Sequence, residues 1–313
     1  MKTFLFILLS VLLVLLVSGI YTFILACVRR KELPWLVEEK IKNTPYGKYY
    51  PYIVQAKQWL SDHNARDVYT TSEDGLKLHG YWIPAENPKG TVLLAHGYRS
   101  SMLVDFSRGF DYYHNLGLNI LVPQQRAHGE SEGRYITFGV KESGDFRQWI
   151  KYHNSHFGEY QLILSGLSMG ASTVLYLADE VLPDNVKGII ADCGFTSPKA
   201  IISKVFTETI HLPAWISMWA TQLCARIFAG FGLSQKDTRK TLANSKLPVL
   251  LVHGKADDFV PCSMTEEGYA ACTSPKKLLL VDGAGHGVSF VVAKEEYMKY
   301  IQEFLYNTLE DFK

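Results

Sequence analysis

Gly-Leu-Ser-Met-Gly, residues 166–170, follows the apolar run YQLILS and precedes the helix-like stretch ASTVLYLADEVL. A serine held between two glycines where a strand turns into a helix has its hydroxyl exposed above the sheet, at a helix N-terminus, where it can serve as a nucleophile. Gly166 and Gly170 remove side chains that would clash in so tight an elbow. A structural serine in a plain turn is the bland alternative, and the strand before and helix after argue against it. A serine hydroxyl stays a weak nucleophile until a base takes its proton, and that base is a histidine held by a carboxylate. Both types come later in the chain, in the order serine, acid, histidine. KADDFVP, with Asp257 and Asp258, follows VLLVHG; AGHGVSF, with His286, follows LLLVDG. Gly283, Gly285 and Gly287 give the histidine a pliant loop.

These residues need a scaffold that brings strand ends together. TVLLAHG, NILVPQQ, LILSGLS, GIIADCG, VLLVHGK and LLLVDGA are short, almost continuous aliphatic runs. Such runs suit strands buried on both faces, as in a parallel sheet. Amphipathic stretches, including GVKESGDFRQWIKYHNS, separate them, and regular alternation predicts a doubly wound α/β fold. VYTTSEDGLKLHGYWIPA reads as a hairpin turning at EDG. In such sheets functional groups gather at the C-terminal strand ends. Residues 196–246 are too long for a simple crossover. Trp215 and Trp219 lie one helical turn apart and Pro213 breaks the pattern, so this stretch is expected to be an inserted helical cap over that edge.

The N-terminus has a different composition. Residues 4–28 contain no charged side chain, and roughly 20 apolar residues suffice to cross a bilayer. The segment 1–28 reads as an uncleaved single-pass membrane anchor, followed by a linker and short helix (29–65) and the catalytic domain (66–313). A lipidated Cys27 after cleavage is the minor alternative. Arg29, Arg30 and Lys31 behind the span favour a cytoplasmic domain by the positive-inside rule; a signal-anchor orientation puts it outside. The formal net charge is +1 and no Lys/Arg block points to nucleic acid. Five cysteines, none in a C-x-x-C pair, read as free and mostly buried thiols.

From about residue 68 onward the chain resembles the α/β-hydrolase superfamily, and more closely its bacterial members with an N-terminal anchor. The resemblance rests on LLAHGYRSS, RAHGESEG, GLSMGA, HGKADDFVP and GAGHG. The family pattern H-G-x-x-D-x-x-V-P falls on His253, Gly254, Asp257, Val260 and Pro261, which selects Asp257 over Asp258. The resemblance implies catalytic Ser168, Asp257 and His286, with an oxyanion hole from the backbone N–H groups of Met169 and Tyr98. It implies no metal and no organic cofactor. The chain departs from the pattern at Gln124, where relatives usually carry a loop-bracing aspartate. His96, His253 and His128 are expected to be structural, and His153 and His156 to form a solvated helix face. The expected activity is a serine hydrolase cleaving esters of hydrophobic, lipid-like acids through an acyl-enzyme. A serine peptidase or thioesterase on the same fold is the second reading, and a catalytically silent binding protein the third.

Overall fold

Six aliphatic runs become six parallel strands. The computed structural model describes residues 2–30, 42, 47 and 50–312; most of the linker expected at 29–65 lies outside them. Strands β1 (Arg66–Thr71) and β2 (Lys77–Ile83) form the hairpin anticipated around the Glu-Asp-Gly turn. Then come β3 (Gly90–Ala95), β4 (Leu118–Pro123), β5 (Leu162–Leu167), β6 (Val186–Asp192), β7 (Val249–Gly254) and β8 (Lys276–Val281). They make one eight-stranded sheet in the order β1-β2-β4-β3-β5-β6-β7-β8. β1–β2 and β2–β4 pair antiparallel, and all other neighbours pair parallel. β3, β4 and β7 are buried along their whole length, which is why those runs carry no polar alternation.

The helices, in chain order, are α1 (Lys2–Cys27), α2 (Tyr50–Asp62), α3 (Met102–Phe106), α4 (Phe110–Asn115), α5 (Val140–Phe157) and α6 (Met169–Leu175). They continue as α7 (Pro198–Ile210), α8 (Trp215–Cys224), α9 (Thr238–Ala243), α10 (Cys262–Ala271), α11 (Ser289–Val292) and α12 (Lys294–Thr308). Two apolar layers sandwich the sheet. One gathers Phe110, Ile163, Leu250, Ile301 and Leu305; the other gathers Leu93, Leu164, Trp149, Val174 and Leu251. A third cluster joins the cap to α1 through Phe23, Phe138, Phe195, Met218 and Phe231.

Pro213 separates α7 from α8, as its inability to continue a helix requires. Ser197 caps α7 by accepting from Ala200 N. α8 runs into a π-helical turn, Ala225–Ala229, before α9.

α1 is long and apolar enough to cross a membrane. Its last third packs on α8, where a side chain at Gly19 would come within 2.3 Å of the Ala220 Cβ. Thr221 Oγ1 donates to Gly19 O at 3.1 Å. The chain leaving α1 pairs with the loop after β4. Ile136 N donates to Cys27 O and Arg29 N to Arg134 O, while the Arg29 guanidinium reaches Gly129 O and Ser131 O. Cys27 is wholly buried there, so a lipid on its thiol would require withdrawing it from the domain.

His153 corrects an expectation: it is buried, with Nε2 against Thr91 Oγ1 at 3.0 Å, because this face of α5 packs on the sheet. His156 is exposed, as expected.

Candidate active site

Ser168 follows the last residue of β5 and caps α6 with φ 55° and ψ −117°. Left-handed backbone at a non-glycine residue is strained and persists only where its surroundings enforce it. Here the enforcement is steric and by hydrogen bond. A Cβ at Gly166 would lie 2.3 Å from the Gly170 carbonyl, and a Cβ at Gly170 would lie 1.9 Å from Ala95 O. Ser168 N donates to Asp192 O at the end of β6 at 2.8 Å.

The Ser168 hydroxyl donates to His286 Nε2 at 2.9 Å, and His286 Nδ1–H donates to Asp257 Oδ2 at 2.7 Å. Asp257 Oδ1 accepts from Phe259 N and Val260 N, at 2.9 and 2.8 Å. Burial alone pushes its carboxyl up. The hydrogen bonds from His253 and His286, with the imidazole charge and the Val260 amide, overcome this and hold it well below the usual carboxylate range. Asp258 is exposed and offers its carbonyl to Lys204. The geometry therefore separates the two aspartates that the sequence left adjacent.

His253 has a part that spacing did not reveal. Its Nε2 faces two acceptors, Asp257 Oδ2 at 3.1 Å and Val260 O at 2.9 Å, so that nitrogen carries the hydrogen, and Nδ1 accepts from Thr265 Oγ1 at 2.7 Å. Asp257 thus lies between two imidazoles. Among the described residues, Cys193, Asp257 and His286 bring donor atoms within 4.8 Å of one another. Asp257 and His286 already bond each other, and burial pushes the Cys193 thiol up, away from the thiolate a metal needs.

Of the two residues expected to form an oxyanion hole, Met169 directly follows Ser168 in the chain and Tyr98 lines both cavities that Ser168 lines. Met169 N is the first of α6 and has no intrahelical acceptor. Tyr98 follows Gly97, at which a Cβ would lie 3.4 Å from Ser168 Cβ. Neither amide donates to another group among the described residues.

The loop carrying Tyr98 is strapped from three sides. Asp105 accepts from Gly97 N and from Ser100 Oγ, both at 2.6 Å. His128 Nε2 accepts from Arg99 N at 3.0 Å while its Nδ1–H donates to Arg126 O. His96 Nε2 accepts from Gln125 N. Burial pulls the His96 pKa down and that of His128 to about 3, so both are neutral straps. The Tyr98 hydroxyl donates to Ala26 O of α1 at 2.7 Å, and its ring stacks on Phe138. Gln124, where the family pattern has an aspartate, accepts from Glu130 N and bonds His79, so the loop is braced by an amide instead. Arg126 is buried in a double ion pair with Asp145 and Asp74. Asp105 and Asp145 carried no sequence signal, because each acts through contacts distant in the chain, and the RAHG motif marked Arg126 without its partners.

Ser168 stands between two cavities. One, about 330 Å³, is apolar and lined by Tyr21, Thr22 and Leu25 of α1, by Ile201, Val205 and Phe206 of α7, and by Phe138 and Phe195. The other, about 400 Å³, includes His286, Arg99, Asp105, Arg108 and Asp258. A cavity of such size is within the range that takes small-molecule ligands.

A serine at a strained strand-to-helix turn after β5, an imidazole after β8 and an acid after β7, hydrogen-bonded in line above a mostly parallel eight-stranded sheet, are the arrangement of an α/β hydrolase. The chain belongs to the α/β-hydrolase superfamily. Residues 86–223 match the family described as serine aminopeptidase, S33, and residues 213–309 the family described as TAP-like protein. The esterase Pf2001 of Pyrococcus furiosus superposes with a TM-score of 0.66 at 26% identity, over 80% of this chain and 94% of that one. YqkD of Bacillus subtilis is 27% identical over 74% of this chain and 76% of its own length. The Saccharomyces cerevisiae membrane protein YNL320W is 24% identical over 75% and 77%. The N-terminal apolar helix and that relative together point to membrane association.

Proposed function

We propose that the protein is a serine hydrolase that cleaves carboxylic esters of hydrophobic acids. Ser168 attacks the carbonyl carbon as His286 takes its proton, and Asp257 holds the imidazole tautomer and favours its charged form. The developing oxyanion accepts from Met169 N and Tyr98 N. The intermediate collapses, His286 gives its proton to the leaving alcohol, and an acyl-enzyme remains on Ser168 Oγ. Water, deprotonated by His286, attacks that ester; the carboxylic acid leaves and the serine recovers its proton. The observation that carries the reading is the continuous hydrogen-bonded path Ser168–His286–Asp257 opening on an apolar cavity. The acyl group fits that cavity, and the alcohol the more polar groove beside His286.

The match to a family described as serine aminopeptidase supports a peptidase as the second reading. An aminopeptidase must hold a substrate ammonium on the acyl side; no carboxylate is among the described residues lining the apolar cavity, and of the two that line the polar groove Asp105 is already bonded to Gly97 N and Ser100 Oγ, which leaves Asp258. This favours the ester. A fluorophosphonate probe is expected to label the wild type and not Ser168→Ala; a folded wild type that never labels overturns the proposal. p-Nitrophenyl esters of rising chain length, beside aminoacyl-anilides, separate the two readings. Anilide cleavage without ester cleavage reverses the preference.

A further inference from the structure

α1 both reaches out of the domain and walls the apolar cavity, and its apolar exposure does not stop where it meets the domain. Residues 2–14 are exposed along the helix; from Leu15 onward the helix is half-buried or buried against the domain on one side. On the other side Ile20, Tyr21, Ile24 and Leu25 stay exposed. A bilayer that covers this apolar face reaches the level of Ser18, Tyr21 and Thr22, which line the cavity.

The cap is built to follow it. α8 has no charged residue and buries Ser217, Ala220, Thr221 and Cys224. Its outer face, continued by the π turn, exposes Trp215 (71%), Trp219, Leu223, Ile227 (64%) and Phe228. Gly19 meets Ser217–Thr221 and Phe23 meets Phe228, so α1 and α8 run in the same direction. Arg226, exposed between Leu223 and Ile227, is the one charged residue in the cap stripe, close to the level where Phe23 meets Phe228, and its long side chain can reach a headgroup from there. Lys204 of α7, paired with Glu208, donates to the carbonyl of Asp258, a residue that lines the polar groove.

We infer that the Trp215–Phe228 face of the cap is immersed in one leaflet of the bilayer beside α1, and that the cavity takes its acyl chain sideways from that leaflet. The substrate class is then an acyl ester already resident in the membrane. The inference rests on the reading of Ser168 as the acyl acceptor, but the immersion can be tested without it.

Full-length protein is reconstituted in phosphatidylcholine vesicles with acyl-brominated lipid. Tryptophan fluorescence is expected to be quenched, and most of the quenching to vanish in Trp215→Phe/Trp219→Phe; absence of quenching at these positions, as when a second copy or another protein covers the face, overturns the inference. In a second arm, the triple variant Trp215→Ser/Trp219→Ser/Ile227→Ser is assayed on soluble p-nitrophenyl acetate and on 4-methylumbelliferyl palmitate carried in vesicles. The soluble ester is expected to turn over within about twofold of wild type and the vesicle ester about tenfold more slowly. Equal rates on both esters overturn the sideways route. A variant that also loses the soluble ester has lost its fold, and the quenching arm decides. A wild type that cleaves neither ester and takes no fluorophosphonate sinks the serine reading, and the quenching arm still judges the immersion.

Discussion

Asp257 is the residue on which the site's geometry converges, since both imidazoles and two backbone amides point at it. Asp257→Asn keeps the shape but offers His286 Nδ1 an amide able to stabilise the wrong tautomer. kcat for an activated ester is expected to fall by about 10³–10⁴. Asp258→Asn, a change at an exposed side chain, is expected to stay within about twofold of wild type; a large loss there, with Asp257→Asn active, would reverse the assignment. His128 yields a prediction of another kind. Its folded pKa is about 3, held down first by burial and then by the neighbouring His96, against about 6.5 in an unfolded chain. Below pH 6.5 the unfolded chain therefore binds a proton the folded chain refuses, and stability falls as pH drops from about 6.5 toward 3. Thermal melts in detergent at pH 7.5 and 5.0 are expected to show a smaller acid loss in His128→Gln than in wild type. The difference between the two proteins isolates this one group, on the order of 1–3 kcal/mol; identical slopes would mean that His128 is charged in the folded protein.

At the scale of elements, the sequence was most readable where burial is symmetrical. β3 to β7 announced themselves because strands covered on both faces are built mostly from aliphatic side chains, while β8, an edge strand half-buried at four of its six positions, was legible from its leucine run alone. The elbow at Ser168 was readable because its two glycines answer a local steric demand: a methyl group on either would stand only 1.9 or 2.3 Å from backbone atoms. The partners of the straps were not readable. His128 was expected to be structural and Arg126 stood in the RAHG motif, but these two and Asp105 work across 8 to 52 positions of chain, and nothing in a linear pattern pairs them. His153 misled for the same reason: a helix face looks polar until the sheet beneath offers Thr91 to its ring. The contact of α1 with α8 was equally silent, because a helix apolar all round has no face that marks a partner. Its one local sign is Gly19, set against Ala220 with no space for a side chain. Gly19→Leu is expected to part the two helices and open the cavity wall. Membrane association should persist, since hydropathy is undiminished, while KM for long-chain esters rises several-fold and acetate ester turnover changes little. Unchanged chain-length preference would mean that α1 touches the cap without shaping the cavity.

For the molecule as a whole, the question is whether the N-terminal helix is a tether or a part of the hydrolase. A tether can be removed without consequence for the domain. Here Phe23 and Cys27 belong to the same buried cluster as Met169, the residue beside Ser168, and Tyr98 of the opposing loop hangs from Ala26 O. Deleting residues 1–27 uncovers Ala220 and Thr221, both fully buried, and frees the Tyr98 hydroxyl. Losing one such hydrogen bond costs about 1 kcal/mol, and uncovering a buried aromatic contact adds about 1–3 kcal/mol. The truncated chain is expected to melt several degrees below the full-length protein in the same detergent. It is also expected to lose its preference for long acyl chains, because Tyr21, Thr22 and Leu25 no longer close the cavity. Fluorophosphonate labelling of Ser168 should survive more slowly, since the Ser168–His286–Asp257 path draws nothing from α1. A truncated protein with unaltered melting temperature and unaltered chain-length profile would reduce α1 to an anchor.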